Sequence, residues 1–144
     1  MQLQASLRSF AGKLIRYSSN FVDCPAVVLI YHRVTNLNQD PQLLTVKPEN
    51  FHQQIEYLKK NYNVLTIEAF REILKAGNGF PQKSLMITFD DGYADNYFEA
   101  LPILEEFDVQ ALFYITTSLV GTQKEFWWDD LERIFLTGAP SLNS

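Results

Sequence analysis

The chain has 144 residues, of which 47% are hydrophobic, 20% charged and 14% aromatic, with six Gly and six Pro. This is the composition of one globular unit and excludes disordered, collagenous and disulfide-framed chains. Twelve Lys and Arg against 17 Asp and Glu leave a formal net charge of −5, and the cations are scattered, so nucleic acid is not an expected partner. The lone cysteine, Cys24, has no second thiol and no neighbouring base, and reads as structural.

At the amino end Leu3, Leu7, Phe10, Leu14 and Ile15 recur at helical spacing, interrupted by Arg8, Lys13 and Arg16. The pattern predicts an amphipathic helical extension over 1–22 packed on the domain, with a weak membrane-surface helix as the alternative. No continuous apolar h-region exists, so the segment does not read as a signal peptide and a cytoplasmic location is expected. No stretch approaches the roughly 18 apolar residues of a membrane span.

From Ala26 the run AVVLIYH is apolar and β-branched, which predicts a parallel strand buried on both faces and ending at His32. A polar loop with Asn36, Asn38, Asp40 and Pro41 follows. Residues 48–62, PENFHQQIEYLKKNY, set Phe51, Ile55, Leu58 and Tyr62 on one face behind Pro48, the signature of a helix with proline in its first turn. His52 lies one position off that face, with Glu56 four residues on, and reads as solvated. A short strand from Asn63 to Thr66 and a helix from Ile67 to Ala76 come next, stopped by Gly77-Asn78-Gly79 and Pro81.

The run SLMITF, residues 84–89, predicts a third strand that enters Asp90, Asp91 and Gly92. A helix covering at least Ala100 to Phe107 carries Pro102 in its first turn or is kinked by it. A fourth strand is expected from Ala111 to Thr116 and a final helix over FWWDDLERIFL. Strands alternating with helices imply a parallel sheet, either open and doubly wound or part of a (β/α) barrel. A barrel takes about 250 residues, so four strands amount to half of one. The fourth would then stand as an unpaired apolar edge open to self-association.

In such folds working groups gather at the carboxyl ends of strands, where Asp90 and Asp91 stand. Adjacent residues leaving a strand diverge, so one carboxylate can bind a divalent cation while the other accepts a proton. The plain alternative is a pair that caps the next helix or faces water. Gly92 permits the sharp turn behind them. His32, at the tip of the first strand, would share that rim as an active-site wall or auxiliary ligand, or else be satisfied by backbone groups. Tyr93 and Asp95 are candidates to line the cleft, Asp95 doubling as a turn cap.

The motif TFDDG, set in SLMITFDDGYADNYFEALPILEEFDVQALFYIT, closely resembles the first motif of the polysaccharide deacetylase family, the NodB-homology group of carbohydrate esterases. The upstream VLIYHRV and the segment from Pro48 to Phe70 look like the family's variant with a Tyr-His strand, so the resemblance runs from about Ala26 to Leu136. It implies a partial (β/α) barrel of the NodB-homology type, roughly its first half with about four parallel strands. It also implies hydrolysis of N-acetyl groups on a carbohydrate, releasing acetate and an amino sugar. Asp90 matches the family's base and Asp91 its metal-ligating aspartate. A bound Zn²⁺ would bring the pKa of its water towards neutrality and favour the ionised form of Asp90.

Under that resemblance Trp127 and Trp128 could stack on sugar rings, although packing with Phe126, Leu131, Ile134 and Phe135 is the commoner use. Asp129 and Asp130 read as helix-start or surface charges. The departures weigh as much. The family's aspartate shares its metal with two histidines of a downstream motif, but the only histidines here, His32 and His52, lie upstream. A lone carboxylate is a poor ligand set.

The expectation is therefore an inactive fragment that does not hold metal tightly. Its parts would be an extension over 1–22, a partial domain over 23–137 and a tail over 138–144. An N-acetylated carbohydrate would be the partner, and family analogy would allow an extracytoplasmic location. The competing readings are a non-catalytic binding module derived from a deacetylase and, remotely, a receiver-like phosphoacceptor domain. The latter carries its acid pair after the first strand, not the third.

Overall fold

The computed structural model describes residues 25–77 and 79–138. The expected helical extension, Cys24 and most of the tail lie outside them. Six strands and four helices follow in order: β1 (Val27–Tyr31), β2 (Arg33–Val34), β3 (Thr45–Val46), α1 (Pro48–Asn61), β4 (Asn63–Val64), α2 (Ile67–Ala76), β5 (Ser84–Phe89), α3 (Leu101–Glu106), β6 (Leu112–Phe113) and α4 (Trp127–Thr137).

The architecture is mixed α/β with parallel strands. β5 is the hub: it pairs with β1 along its whole length, with β4 at its start and with β6 at its end, every pairing parallel. All six of its residues are buried. Because side chains alternate across a strand, Leu85, Ile87 and Phe89 face one side, where they join Phe51 and Ile55 of α1 and Leu104 of α3 in the core. Burying each of those large side chains is worth about 1.5–3 kcal/mol. Tyr31, Phe51 and Phe89 interlock there, with ring centroids 5.1 to 5.8 Å apart.

The opposite face differs from expectation. Val28 and Ile30 of β1, in register with Met86 and Thr88, are 41% and 58% exposed, so the first strand is not buried on both faces. The β5 residues on that face, Met86 and Thr88, are nonetheless buried, and β1, which pairs only with β5, is an edge of the sheet among the described residues. The fourth strand is shorter than expected, only two of its six residues forming a ladder, with β5 through Thr88↔Leu112 and Phe89↔Phe113, and among the described residues its other side is an edge.

Helix ends follow the local chemistry. Thr66 caps α2 by accepting the Ala69 amide at 3.2 Å, and Gly77, at φ +66°, closes it in the left-handed conformation that glycine adopts without penalty. Pro102 removes a donor and crowds the carbonyl four residues earlier. The chain there runs through a π-turn, Asn96–Ala100, before α3 begins at Leu101. His52 is not merely solvated: its Nε2 lies 3.1 Å from Glu106 and its ring packs edge-on against Phe107, joining α1 to the end of α3. No helix among the described residues is long and apolar enough to cross a membrane.

Candidate active site

At the carboxyl end of β5 the ladder continues for one residue, the Asp90 amide donating to the Tyr31 carbonyl at 2.9 Å. Then the backbone turns sharply. The Gly92 amide donates to the Asp90 carbonyl at 2.9 Å, closing a three-residue turn around Asp91, whose φ is +71°. A positive φ outside glycine is tolerated best by Asn and Asp, and a residue held there stores about 1–3 kcal/mol of strain. Gly92 follows at φ +79°, and a Cβ on it would stand 2.9 Å from Ile115 Cδ1 and 3.3 Å from the Ile115 Cα. The Thr116 amide donates to the Asp91 carbonyl at 3.2 Å, so the segment after β6 braces the turn.

Asp90 and Asp91 together line an open depression of about 380 Å³ with Tyr114, Ile115 and Thr116. Asp91 alone also reaches a neighbouring cavity of about 540 Å³ bounded by Arg33, Tyr93, Phe126, Asp129 and Glu132, among others. The two acids therefore share one depression, and Asp91 also borders a second cavity. His32 stands one residue past β1, beside Asp90 in the extended register. With its amide turned to donate, the buried Asn96 side chain lies 2.9 Å from the His32 carbonyl. Among the described residues no three His, Cys, Asp or Glu side chains come together to hold a metal ion. Among the described residues the donor set is thus too small to hold a transition metal tightly.

Tyr93 is more than a lining residue. The Arg33 guanidinium sits over its ring at 4.4 Å, Phe126 packs beside it at 5.2 Å, and its hydroxyl accepts from Trp128 Nε1 at 2.8 Å while donating to Asp129 Oδ1 at 3.1 Å. Burial above all, then the bond to Asp129, pushes the phenol well above its usual range, so it stays a donor. Burial likewise raises the Asp129 carboxyl, against the lowering effect of Tyr93 and Arg33.

The tryptophans divide. Trp128 stacks on Phe126 at 4.6 Å and serves Tyr93, whereas Trp127 is 65% exposed. Two further expectations change here. Asp95 is not a turn cap: it accepts from Arg33 Nε at 2.9 Å and from the Val34 amide at 3.0 Å. Asp129 and Asp130 do stand in the first turn of α4, but not as surface charges, since Asp130 is buried against Arg133 and Asp129 accepts from Tyr93.

The polysaccharide deacetylase family profile matches residues 77–143. A poly-beta-1,6-N-acetyl-D-glucosamine N-deacetylase of Escherichia coli (strain K12) is 31% identical over 97 residues, 67% of this chain and 14% of its own length. A protein of the same name from Staphylococcus aureus (strain MSSA476) is 31% identical over 144 aligned residues, 88% of this chain and 48% of its own. Among solved structures, IcaB from Ammonifex degensii superposes with a TM-score of 0.61 at 27% identity, over 78% of this chain and 49% of that one. The Streptococcus pyogenes deacetylase PplD, solved in complex with acetate, gives 0.59 at 26% identity, over 77% and 52%.

The chain belongs to the polysaccharide deacetylase family. It spans about half or less of the length of the relatives it matches. The part that matches the deacetylase family profile begins ahead of β5 and runs past α4, so it contains the Asp90–Gly92 turn and the Tyr93–Trp128–Asp129 contacts. Arg33, Asp95 and Ile115, which surround this deacetylase turn, were not foreseen as its supports. The only signal for Arg33 was its place directly after the Tyr-His strand end.

Proposed function

We propose that this chain supplies the paired acids of a carbohydrate N-deacetylase, built as part of a (β/α) barrel of the NodB-homology type. Asp90, on the depression shared with Asp91, acts as the base that takes a proton from water as it attacks an N-acetyl carbon. Asp91, which borders both cavities, is one carboxylate ligand for a divalent cation. The described residues do not complete a metal site, so the remaining ligands must come from elsewhere. His32 forms the wall beside Asp90. The relatives named as poly-beta-1,6-N-acetyl-D-glucosamine N-deacetylases point to a polymer of N-acetylated amino sugar as substrate. The observation that carries this reading is the strained turn at the tip of β5, which leaves two adjacent acids on one depression with Asp91 also bordering a second cavity.

The test is a chimera in which residues 25–138 replace the matching segment of the Staphylococcus aureus relative, assayed for acetate released from N-acetylglucosamine oligomers. Release that disappears with Asp90→Asn and with Asp91→Asn supports the proposal. Release that survives Asp90→Asn, or a folded but silent chimera, overturns it.

A second reading is favoured by one observation, the exposure of Val27, Val28 and Ile30 on a strand paired on one side. Such an edge invites pairing with a second copy of the chain. Sedimentation would show a dimer that dissociates with Ile30→Lys; a monomer at high concentration removes this reading.

A further inference from the structure

We propose that Tyr93 is a positioning residue, clamped between Arg33 and the first turn of α4 so that it holds the Asp91–Gly92 turn in its left-handed conformation. The proposal rests on the reading of Asp91 as a working carboxylate and adds what keeps it aimed.

The reasoning starts from the backbone. Two consecutive residues at positive φ, one of them not glycine, form a turn that relaxes to ordinary dihedrals unless its surroundings over-determine it. On the β6 side the supports are the Thr116 amide on the Asp91 carbonyl and the Ile115 side chain packed where a Gly92 Cβ would be. On the exit side the first residue after the turn is Tyr93, and three separate elements grip it.

Arg33, the first residue of β2, covers one region of its ring and is itself fixed by Asp95, which also binds the Val34 amide. Phe126, the residue before α4, packs against the ring. Trp128 and Asp129, in the first turn of α4, use both hydrogen-bonding capacities of the hydroxyl. The Tyr93 carbonyl also accepts the Asn96 amide at 3.0 Å. A side chain held from β2, from the turn itself and from α4 transmits the placement of those elements to a backbone two residues away. A tyrosine that merely lined a cleft would leave its hydroxyl to water or to ligand.

The experiment uses heteronuclear NMR of the full chain, reading the strong intraresidue HN–Hα cross-peak of Asp91 that marks a positive φ, and exchange broadening at Asp91 and Gly92. Tyr93→Leu is expected to abolish the Asp91 cross-peak while the amides of Leu85, Ile87 and Phe89 keep their shifts. Tyr93→Phe, which keeps the ring under Arg33 but loses both hydroxyl bonds, is expected to weaken it and to broaden Asp91 and Gly92. An Asp91 signal unchanged in both variants overturns the proposal. If Tyr93→Leu does not fold, unchanged Asp91 and Gly92 relaxation in Tyr93→Phe overturns it alone.

In the acetate-releasing chimera Tyr93→Phe should lower kcat roughly ten- to a hundredfold at unchanged KM, the signature of a displaced catalytic group. Failure of the deacetylase reading would appear as acetate release independent of Asp90. Failure of this inference would appear as a rigid Asp91 turn without Tyr93.

Discussion

Replacing Gly92 by alanine probes the turn with one carbon atom. At φ +79° the new residue meets the left-handed penalty of roughly 1–2 kcal/mol for an L side chain. Its Cβ would also lie 2.9 Å from Ile115 Cδ1, 3.2 Å from Ile115 Cγ2 and 3.3 Å from the Ile115 Cα. The first of these is the end of a side chain and can swing away, but the last is backbone, so part of the clash must be met by displacing the segment after β6. Overpacking of this kind costs about 1–3 kcal/mol.

The two effects together predict a loss of about 2–5 kcal/mol, a large share of the ~5–15 kcal/mol of an ordinary domain. With a urea slope of roughly 2 kcal/mol/M the unfolding midpoint should fall by about 1–2.5 M. Equilibrium urea unfolding of the full chain measures it. Ile115→Ala in the Gly92→Ala background removes the two side-chain contacts but leaves the φ penalty and the backbone contact, so the double variant should lose less than the two single losses added together. A Gly92→Ala midpoint within about 0.2 M of the parent, which at that slope is less than ~0.5 kcal/mol, would refute the reasoning.

Asp95→Ala should destabilise the chain by about 1–3 kcal/mol, because the Val34 amide loses its acceptor beside a fully buried side chain. Hydrogen exchange at that amide should quicken in step, and Asp95→Asn, which keeps an oxygen there, should protect it. Asp129 makes a prediction in pH. Its carboxyl is raised by burial, lowered by Tyr93 and Arg33 and raised again by Glu132 and Glu125, so the folded state holds its proton more readily than the unfolded one. That contribution is present below the ordinary aspartate range and is lost as pH climbs through the raised native value. Asp129→Asn, permanently neutral and still able to accept from Tyr93, should gain stability relative to the parent between about pH 3.5 and 7; a urea midpoint difference constant across that range would contradict it.

How much of this was readable beforehand depended on the range of the forces involved. The helix from Ile67 to Ala76 was legible because its glycine stop is local, whereas Thr66, read as the end of the preceding strand, is the cap of this helix. The strand entering Asp90 was legible from six consecutive residues, and the acids at its tip followed from strand-end logic. The exposure of β1 was not, since a β-branched run reads alike whether one or both of its edges are paired. The pairs Arg33–Val34 and Thr45–Val46 are too short to show a period. The clamp on Tyr93 joins residues 35 to 62 positions apart along the chain, and no local pattern links an arginine after one strand, an aspartate beside a turn and a helix start so distant. Asp129 and Asp130 looked like ordinary first-turn acids, which is where the helix dipole favours them. Only the fold reveals that one is buried and the other holds a phenol.

The division of labour between the two acids is open to direct measurement by adding Mn²⁺ to the isotope-labelled full chain and mapping which amides its paramagnetism broadens. Broadening is predicted to be strongest at Asp91, Gly92 and Tyr114 to Thr116, to persist in Asp90→Asn and to vanish from that site in Asp91→Asn. Broadening centred on other acids of the chain, or at this turn but removed by Asp90→Asn rather than Asp91→Asn, would contradict the assignment of Asp91 as the cation-facing carboxylate and Asp90 as the base.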